Sequence, residues 1–83
     1  MNIYVGNLDC GLQESELEQI FREYGEVASV KIIKDKYTGK AKGFGFVEMP
    51  DDGEANNAIE ELNGKDVNGR QMKVNKARPR TEG

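Results

Sequence analysis

Two aromatic residues separated by a glycine, Phe44 and Phe46, sit in the run Lys42-Gly43-Phe44-Gly45-Phe46-Val47-Glu48-Met49. Side chains alternate along a strand, so this run puts Lys42, Phe44, Phe46 and Glu48 on one face. Gly43, Gly45, Val47 and Met49 fall on the other, where Val47 and Met49 supply the aliphatic contacts of a core. Two rings beside a lysine suit a wet face instead, where flat side chains meet flat ligands. Nucleic-acid bases are such ligands: every base has a π-surface, and stacking on an aromatic ring is worth roughly 1–3 kcal/mol per base. The glycines let a backbone or base approach closely and leave the rings room to lie flat.

Other chemistries are poorly served. The chain has no histidine and one cysteine, Cys10, so the common acid–base and zinc sites lack their usual residues. Gly43-Phe44-Gly45 is not a dinucleotide fingerprint, since the third glycine and the following helix are missing. No enzyme activity, cofactor or metal is therefore expected. A lone cysteine cannot close an internal disulfide, which fits a reducing cytoplasm. There is no long apolar run and no basic-then-apolar leader, so neither membrane insertion nor export is expected.

Charge points both ways. The net charge of −3 and a pI near 4.9 are unusual for a protein that binds a polyanion. The distribution answers that objection. Acids fill Asp9 to Glu26 and again Glu48 to Asp66, whereas Lys31, Lys34, Lys36, Lys40 and Lys42 form one basic block and Arg70, Lys73, Lys76, Arg78 and Arg80 another. With helices in the acidic blocks and strands and loops in the basic ones, the positive side of the molecule is also its aromatic side.

The elements that must position these residues follow from periodicity. Ile3 to Asn7 reads as a strand with Ile3 and Val5 inward and Tyr4 outward. Glu14 to Tyr24 is helical, with Leu17, Ile20, Phe21 and Tyr24 forming one apolar stripe. Gln13 stands at its cap with Glu16 in the matching third position, and Gly25 stands where a left-handed stop belongs. Val27 to Lys34 is a second strand, with Val30 and Ile32 inward and Ser29, Lys31 and Ile33 outward. A polar loop over 35–40 makes it a long hairpin with the Lys42–Met49 strand. Asp51 and Glu54 read as a capping box opening a second helix, whose stripe is Ala55, Ala58, Ile59 and Leu62. Asn63-Gly64 closes it. Val67-Asn68-Gly69-Arg70 reads as a tight turn before a last strand, Met72 to Ala77, with Lys73 and Asn75 outward. The polar tail beyond is expected to be mobile. The order β-α-β-β-α-β is the ferredoxin-like arrangement, an α+β sandwich of one antiparallel sheet with both helices on one face. Two helices cover only one face, so the rings on the other have no third layer above them.

Lys42 to Val47 fits the ribonucleoprotein-1 signature of the RNA recognition motif family, with Met49 in place of the final aromatic. Ile3-Tyr4-Val5-Gly6-Asn7-Leu8 resembles the family's second signature. The resemblance covers essentially the whole chain, with residues 1–78 as a single RNA recognition motif and 79–83 as a short tail. Lys42-Gly43-Phe44-Gly45-Phe46-Val47-Glu48-Met49 and Val74-Asn75-Lys76-Ala77-Arg78-Pro79-Arg80 further resemble the small single-domain RNA-binding proteins of bacteria and cyanobacteria. It implies strand order 4-1-3-2, which brings Tyr4, Phe44 and Phe46 together on the open face. It implies that Tyr4 and Phe44 each stack on a base while Phe46 packs between or against adjoining sugars. Asn75 to Arg78 resemble the family's base-reading segment.

The expected activity is therefore binding of single-stranded RNA, with single-stranded DNA left open, by a monomer. Candidate contacts are Tyr4, Phe44, Phe46, Lys42, Lys31, Ile33, Lys73, Asn75, Lys76, Arg78 and Arg80. The lysines would neutralise phosphates, Asn75 would meet a base edge, and Lys76, Arg78 and Arg80 would close over a bound strand. A module of this size should bind on the order of micromolar, roughly −8 kcal/mol. Asn7 reads as a turn-stabilising side chain. A cold-shock barrel shares the Lys-Gly-Phe-Gly-Phe run but has no place for two helices. An acyl-phosphate hydrolase of the same topology needs an arginine in its phosphate loop, and Asn7-Leu8-Asp9-Cys10-Gly11 has none. A protein-interaction module gripping a partner on its acidic helices is the remaining alternative.

Overall fold

A computed structural model describes residues 1–9, 11–34, 37–39 and 41–77, and the side chains of Lys34, Ala41 and Lys42 lie outside what it describes. Eight elements follow one another: β1 (Asn2–Gly6), α1 (Glu14–Arg22), β2 (Ser29–Lys34), β3 (Ala41–Glu48), α2 (Asp52–Leu62), β4 (Asp66–Val67), β5 (Arg70–Gln71) and β6 (Lys73–Lys76). The main sheet is antiparallel in the order β2-β3-β1-β6, so the two ring-bearing strands are central and adjacent. This is the ferredoxin-like α+β fold that the sequence implies.

The alternation along β1 is the clearest link from sequence to layer. Ile3 and Val5 are fully buried while Tyr4 between them is half-buried on the opposite face. Val47, Val74, Leu17, Phe21, Ala55, Ala58 and Leu62 join them in one core from which water is excluded. Met49 and Met72, just outside their strands, are buried there too. A methionine in place of the signature's last aromatic thus fills core volume and leaves the open face untouched.

Several ends differ from the periodicity reading, each for a local reason. Helix α1 opens with the Gln13 N–H donating to the Glu16 carboxylate at 3.2 Å. It stops at Arg22, and the Tyr24 N–H bonds the Phe21 carbonyl at 3.0 Å in a tightened last turn. Gly25 is not a left-handed stop: its φ of 159° is close to extended. What the glycine provides is clearance, because a Cβ there would collide with the Glu54 side chain. Helix α2 has half of the expected capping box. Asp51 accepts from the Glu54 N–H at 2.9 Å, but the Glu54 carboxylate accepts from the Glu26 N–H at 3.2 Å, tying the α1–β2 connection to α2.

The Asn68-Gly69 turn is real and does more than expected. Both residues have positive φ, 53° and 82°, as a type I′ hairpin turn requires. It joins β4 to β5 in a separate two-stranded sheet before β6 begins. Asn7 anchors that hairpin. Its side-chain amide donates to the Gln71 carbonyl at 2.7 Å, and its oxygen accepts from Arg70 at 2.9 Å. The turn-stabilising role expected of Asn7 is what its side chain performs.

One irregularity bears on the site. Ile32 pairs with Gly45 and Lys34 with Ala41, so two steps along β2 match four along β3. Gly43, with φ 87°, absorbs the excess as a bulge, and its carbonyl accepts from the Leu8 N–H at 2.8 Å. Alternation is interrupted there, so it no longer fixes the face of Lys42.

Candidate nucleic-acid interface

The outer face of the sheet is built in rows across the strands. In one row, Asn75, Tyr4, Phe46 and Lys31 are successive Cα partners. The neighbouring row toward one end holds Lys73 opposite Gly6, with Phe44 and Ile33 beside them. The row toward the other end holds Asn2, Glu48 and Ser29. Strand register alone therefore gathers residues from nearly opposite ends of the chain, as with Tyr4 and Asn75.

Three rings form the centre. Tyr4 and Phe44 have centroids 6.2 Å apart and planes 28° from parallel. Phe46 stands across both, at 6.0 Å and 66° from Tyr4 and at 6.3 Å and 87° from Phe44. Tyr4 and Phe44 thus turn their faces in nearly the same direction, and the Phe46 plane stands steeply across both. Phe46 is 39% exposed, unusual for a phenylalanine in a central strand.

Two glycines make this possible in different ways. The Tyr4 ring lies down over Gly6, where a Cβ would come within 2.5 Å of the tyrosine oxygen. Gly6 is buried beneath that ring. Gly45 points the other way, and a Cβ there would run into the backbone of Lys31 and Ile32. The first lets a ring lie flat; the second lets β2 close on β3.

Around the rings, Lys31, Lys73 and Asn75 are exposed and Ile33 is half-buried. Ser29, Lys31, Ile33, Phe44, Phe46 and Glu48 share an open groove of about 640 Å³. Lys76 does not join this group. It pairs with Ile3, whose side chain is buried, and lines a smaller groove at the sheet edge with Met1 and Asp52. Lys42 has its backbone in β3 and its side chain outside the described residues, and Arg78 and Arg80 lie outside them altogether, as do Lys36, Lys40 and Cys10. The acids Glu14, Glu16, Glu23, Asp52, Glu60 and Glu61 are exposed on or beside the helices. The described cations of the sheet face and the helical acids therefore lie on opposite sides of the sheet.

Two contributors escape a reading by residue type. Gly6 acts through the absence of a side chain, and its only signal is its place two residues after Tyr4. Glu48, which alternation already puts on the ring face, is an acid and so is not among the expected contacts to a polyanion. No group of three or more described carboxylates and thiols is placed to hold a metal ion. No helix among the described residues is long and apolar enough to cross a membrane.

Comparison with known proteins agrees with this geometry. The family model described as the RNA recognition motif matches residues 3–73. The RbpB protein of the cyanobacterium Nostoc sp. is 50% identical over 82 residues, covering 99% of this chain and 80% of that protein. The crystal structure of RNA Binding Protein PG1 superposes with a TM-score of 0.93 at 46% identity, covering 99% of each chain. A Sxl-lethal protein–RNA complex superposes with a TM-score of 0.90 at 33% identity, over 98% of this chain and 48% of that one.

Proposed function

The chain belongs to the RNA recognition motif family, and on that premise we propose that it holds single-stranded RNA across its open sheet. Tyr4 and Phe44 stack on successive bases, and Phe46 packs against the sugar between them. Lys31 and Lys73 on the flanking strands neutralise phosphates, joined by Lys42, Arg78 and Arg80, while Asn75 offers hydrogen bonds to a base edge and Ile33 apolar contact. The module spans residues 1–78, acts as a monomer in the cytoplasm, and handles RNA by binding without a catalytic step. Single-stranded DNA fits the same rings, since stacking is indifferent to the sugar.

The observation that carries this reading is the three-ring cluster, within 6.3 Å centroid to centroid, on a face that no helix among the described residues covers. Aromatic residues left exposed at the centre of a sheet have no packing rationale, and splayed single-stranded bases are what such a platform fits. The acidic pI is no obstacle, because repulsion from the helices falls off over a Debye length of about 8–10 Å in physiological salt.

The test is fluorescence anisotropy with a labelled random-sequence single-stranded RNA, comparing the wild type with Phe44→Ala/Phe46→Ala at two salt concentrations. Salt-sensitive binding that drops at least a hundredfold in a still-folded variant is expected. Equal binding by the variant would remove the stacking mechanism.

One observation favours a second reading. Leu12, Ile20 and Val67 lie with Glu16 and Glu23 along a groove of about 480 Å³ between α1 and the β4–β5 hairpin. An apolar floor with acidic walls suits a basic peptide, and a protein partner there would leave the sheet free for RNA.

A further inference from the structure

Glu48 is out of place on a surface for a polyanion. It occupies the ring-bearing face of β3, two residues beyond Phe46, with Asn2 and Ser29 as its Cα partners on either side. The Ser29 hydroxyl donates to one of its oxygens at 3.4 Å, the long end of hydrogen-bond geometry. No described cation lies within ion-pair distance of it. A carboxylate so placed repels phosphate and accepts hydrogen bonds, so it gains only from a donor that the ligand brings.

We propose that Glu48 reads a guanine, accepting from its N1–H and N2–H₂ together; this deepens the RNA-binding reading and rests on it. The groove that contains Glu48 also contains Phe46 and Lys31, so a nucleotide whose sugar packs on the Phe46 ring has its base edge within reach of the carboxylate. The two residues are about 7 Å apart along the strand, roughly the width of a base. Of the four bases, guanine alone presents two adjacent donors on its Watson–Crick edge, which a carboxylate matches in a bidentate pair. Uracil has one donor between two carbonyls. Adenine and cytosine each set an acceptor beside their amino group, and that acceptor would face a carboxylate oxygen. Asn2 and Ser29 flank Glu48, and with the Ser29 hydroxyl turned to the carboxylate the Asn2 amide has a donor for the remaining guanine O6. Glu48 is thus a specificity-determining residue, and its net effect on RNA lacking guanine is unfavourable.

The experiment uses labelled heptauridylate and the same oligonucleotide with its central base changed to guanine, adenine, cytosine or inosine, each also as DNA. Wild type, Glu48→Ala, Glu48→Gln and Phe44→Ala are titrated by anisotropy, with thermal melts to show that each is folded. Wild type should bind the guanine oligonucleotide about tenfold or more tightly than the adenine, cytosine or uracil ones, in RNA and DNA alike. Inosine, lacking the N2 amino group, should fall between. Both Glu48 variants should lose the preference while binding heptauridylate as well as or better than wild type. Phe44→Ala should weaken all bases alike and keep the preference. Equal binding of all bases by wild type overturns the proposal and leaves the RNA-binding reading standing. So does a preference that survives in Glu48→Ala, or a Glu48 effect on RNA against DNA with no base dependence, which would point to the 2′-hydroxyl as the donor. Failure of wild type to bind any of the oligonucleotides overturns both.

Discussion

The two faces of the sheet are made by alternate residues of the same strands and have opposite tasks. On β1, Ile3 and Val5 are fully buried while Tyr4 between them is half-buried on the open face. On β3, Val47 is fully buried while Phe46 beside it is 39% exposed. One face binds the helices and sets stability; the other is covered by no described helix and is open to a ligand. The lesson is separability. With a side-chain period of two, a strand can carry a recognition surface and a core without either constraining the other's residue types.

Phenylalanine itself gives the sharpest test, because Phe21 and Phe46 are the same side chain on opposite sides. Phe21 is fully buried in α1. Phe21→Ala should lower the unfolding free energy by about 3–5 kcal/mol, a large share of the 5–15 kcal/mol typical of a domain, read as a lower urea midpoint. Phe46→Ala should change stability by less than about 1 kcal/mol while costing about 1–3 kcal/mol in RNA affinity, 5- to 150-fold. Comparable stability losses in the two variants would break the separation.

The glycines sharpen it further. Gly45→Ala drives a methyl into the backbone of β2, which cannot step aside, so an overpacking loss of about 1–3 kcal/mol is expected in chemical denaturation. Gly6→Ala meets the Tyr4 ring first, and that ring can swing up at a rotamer cost of about 0.5–1.5 kcal/mol. That variant should stay folded and lose RNA affinity severalfold, because the ring no longer lies flat. A Gly6 variant that destabilises without weakening RNA binding would show that the ring position is immaterial.

The smallest expected effects are those of the flanking lysines. Lys31→Ala and Lys73→Ala should each flatten the dependence of log affinity on log salt by about 0.7, the contribution of one phosphate contact on a single strand. Their melting temperatures should match the wild type. An unchanged slope would mark the lysine as plain solvated surface.

Where the local pattern and the global fold agree, the chain could be read without coordinates. The alternation of Ile3-Tyr4-Val5 and of Phe44 to Val47 assigned both faces, and the stripes Leu17–Phe21 and Ala55–Leu62 assigned the helices. The Asn68-Gly69 pair assigned a turn, because positive φ is a demand on residue type that only a few residues meet. These are short-range constraints, and sequence records them directly.

What escaped was decided by residues distant in sequence. Gly25 has the residue type of a helix stop, yet Glu54 from α2 occupies the space over it, so its role depends on a packing that no local pattern encodes. The partner of the Glu54 carboxylate, the Glu26 N–H, is chosen the same way. The bulge at Gly43 arises because two strands of unequal count must close one ladder. The setting of Glu48, flanked by Asn2 and Ser29 and sharing a groove with Phe46, exists only once three strands are in register. Along the regular stretches of strand the sequence by itself determined which residues face outward, since that depends on neighbours along the chain. Only the tertiary structure decided which of them meet, since that depends on register between strands.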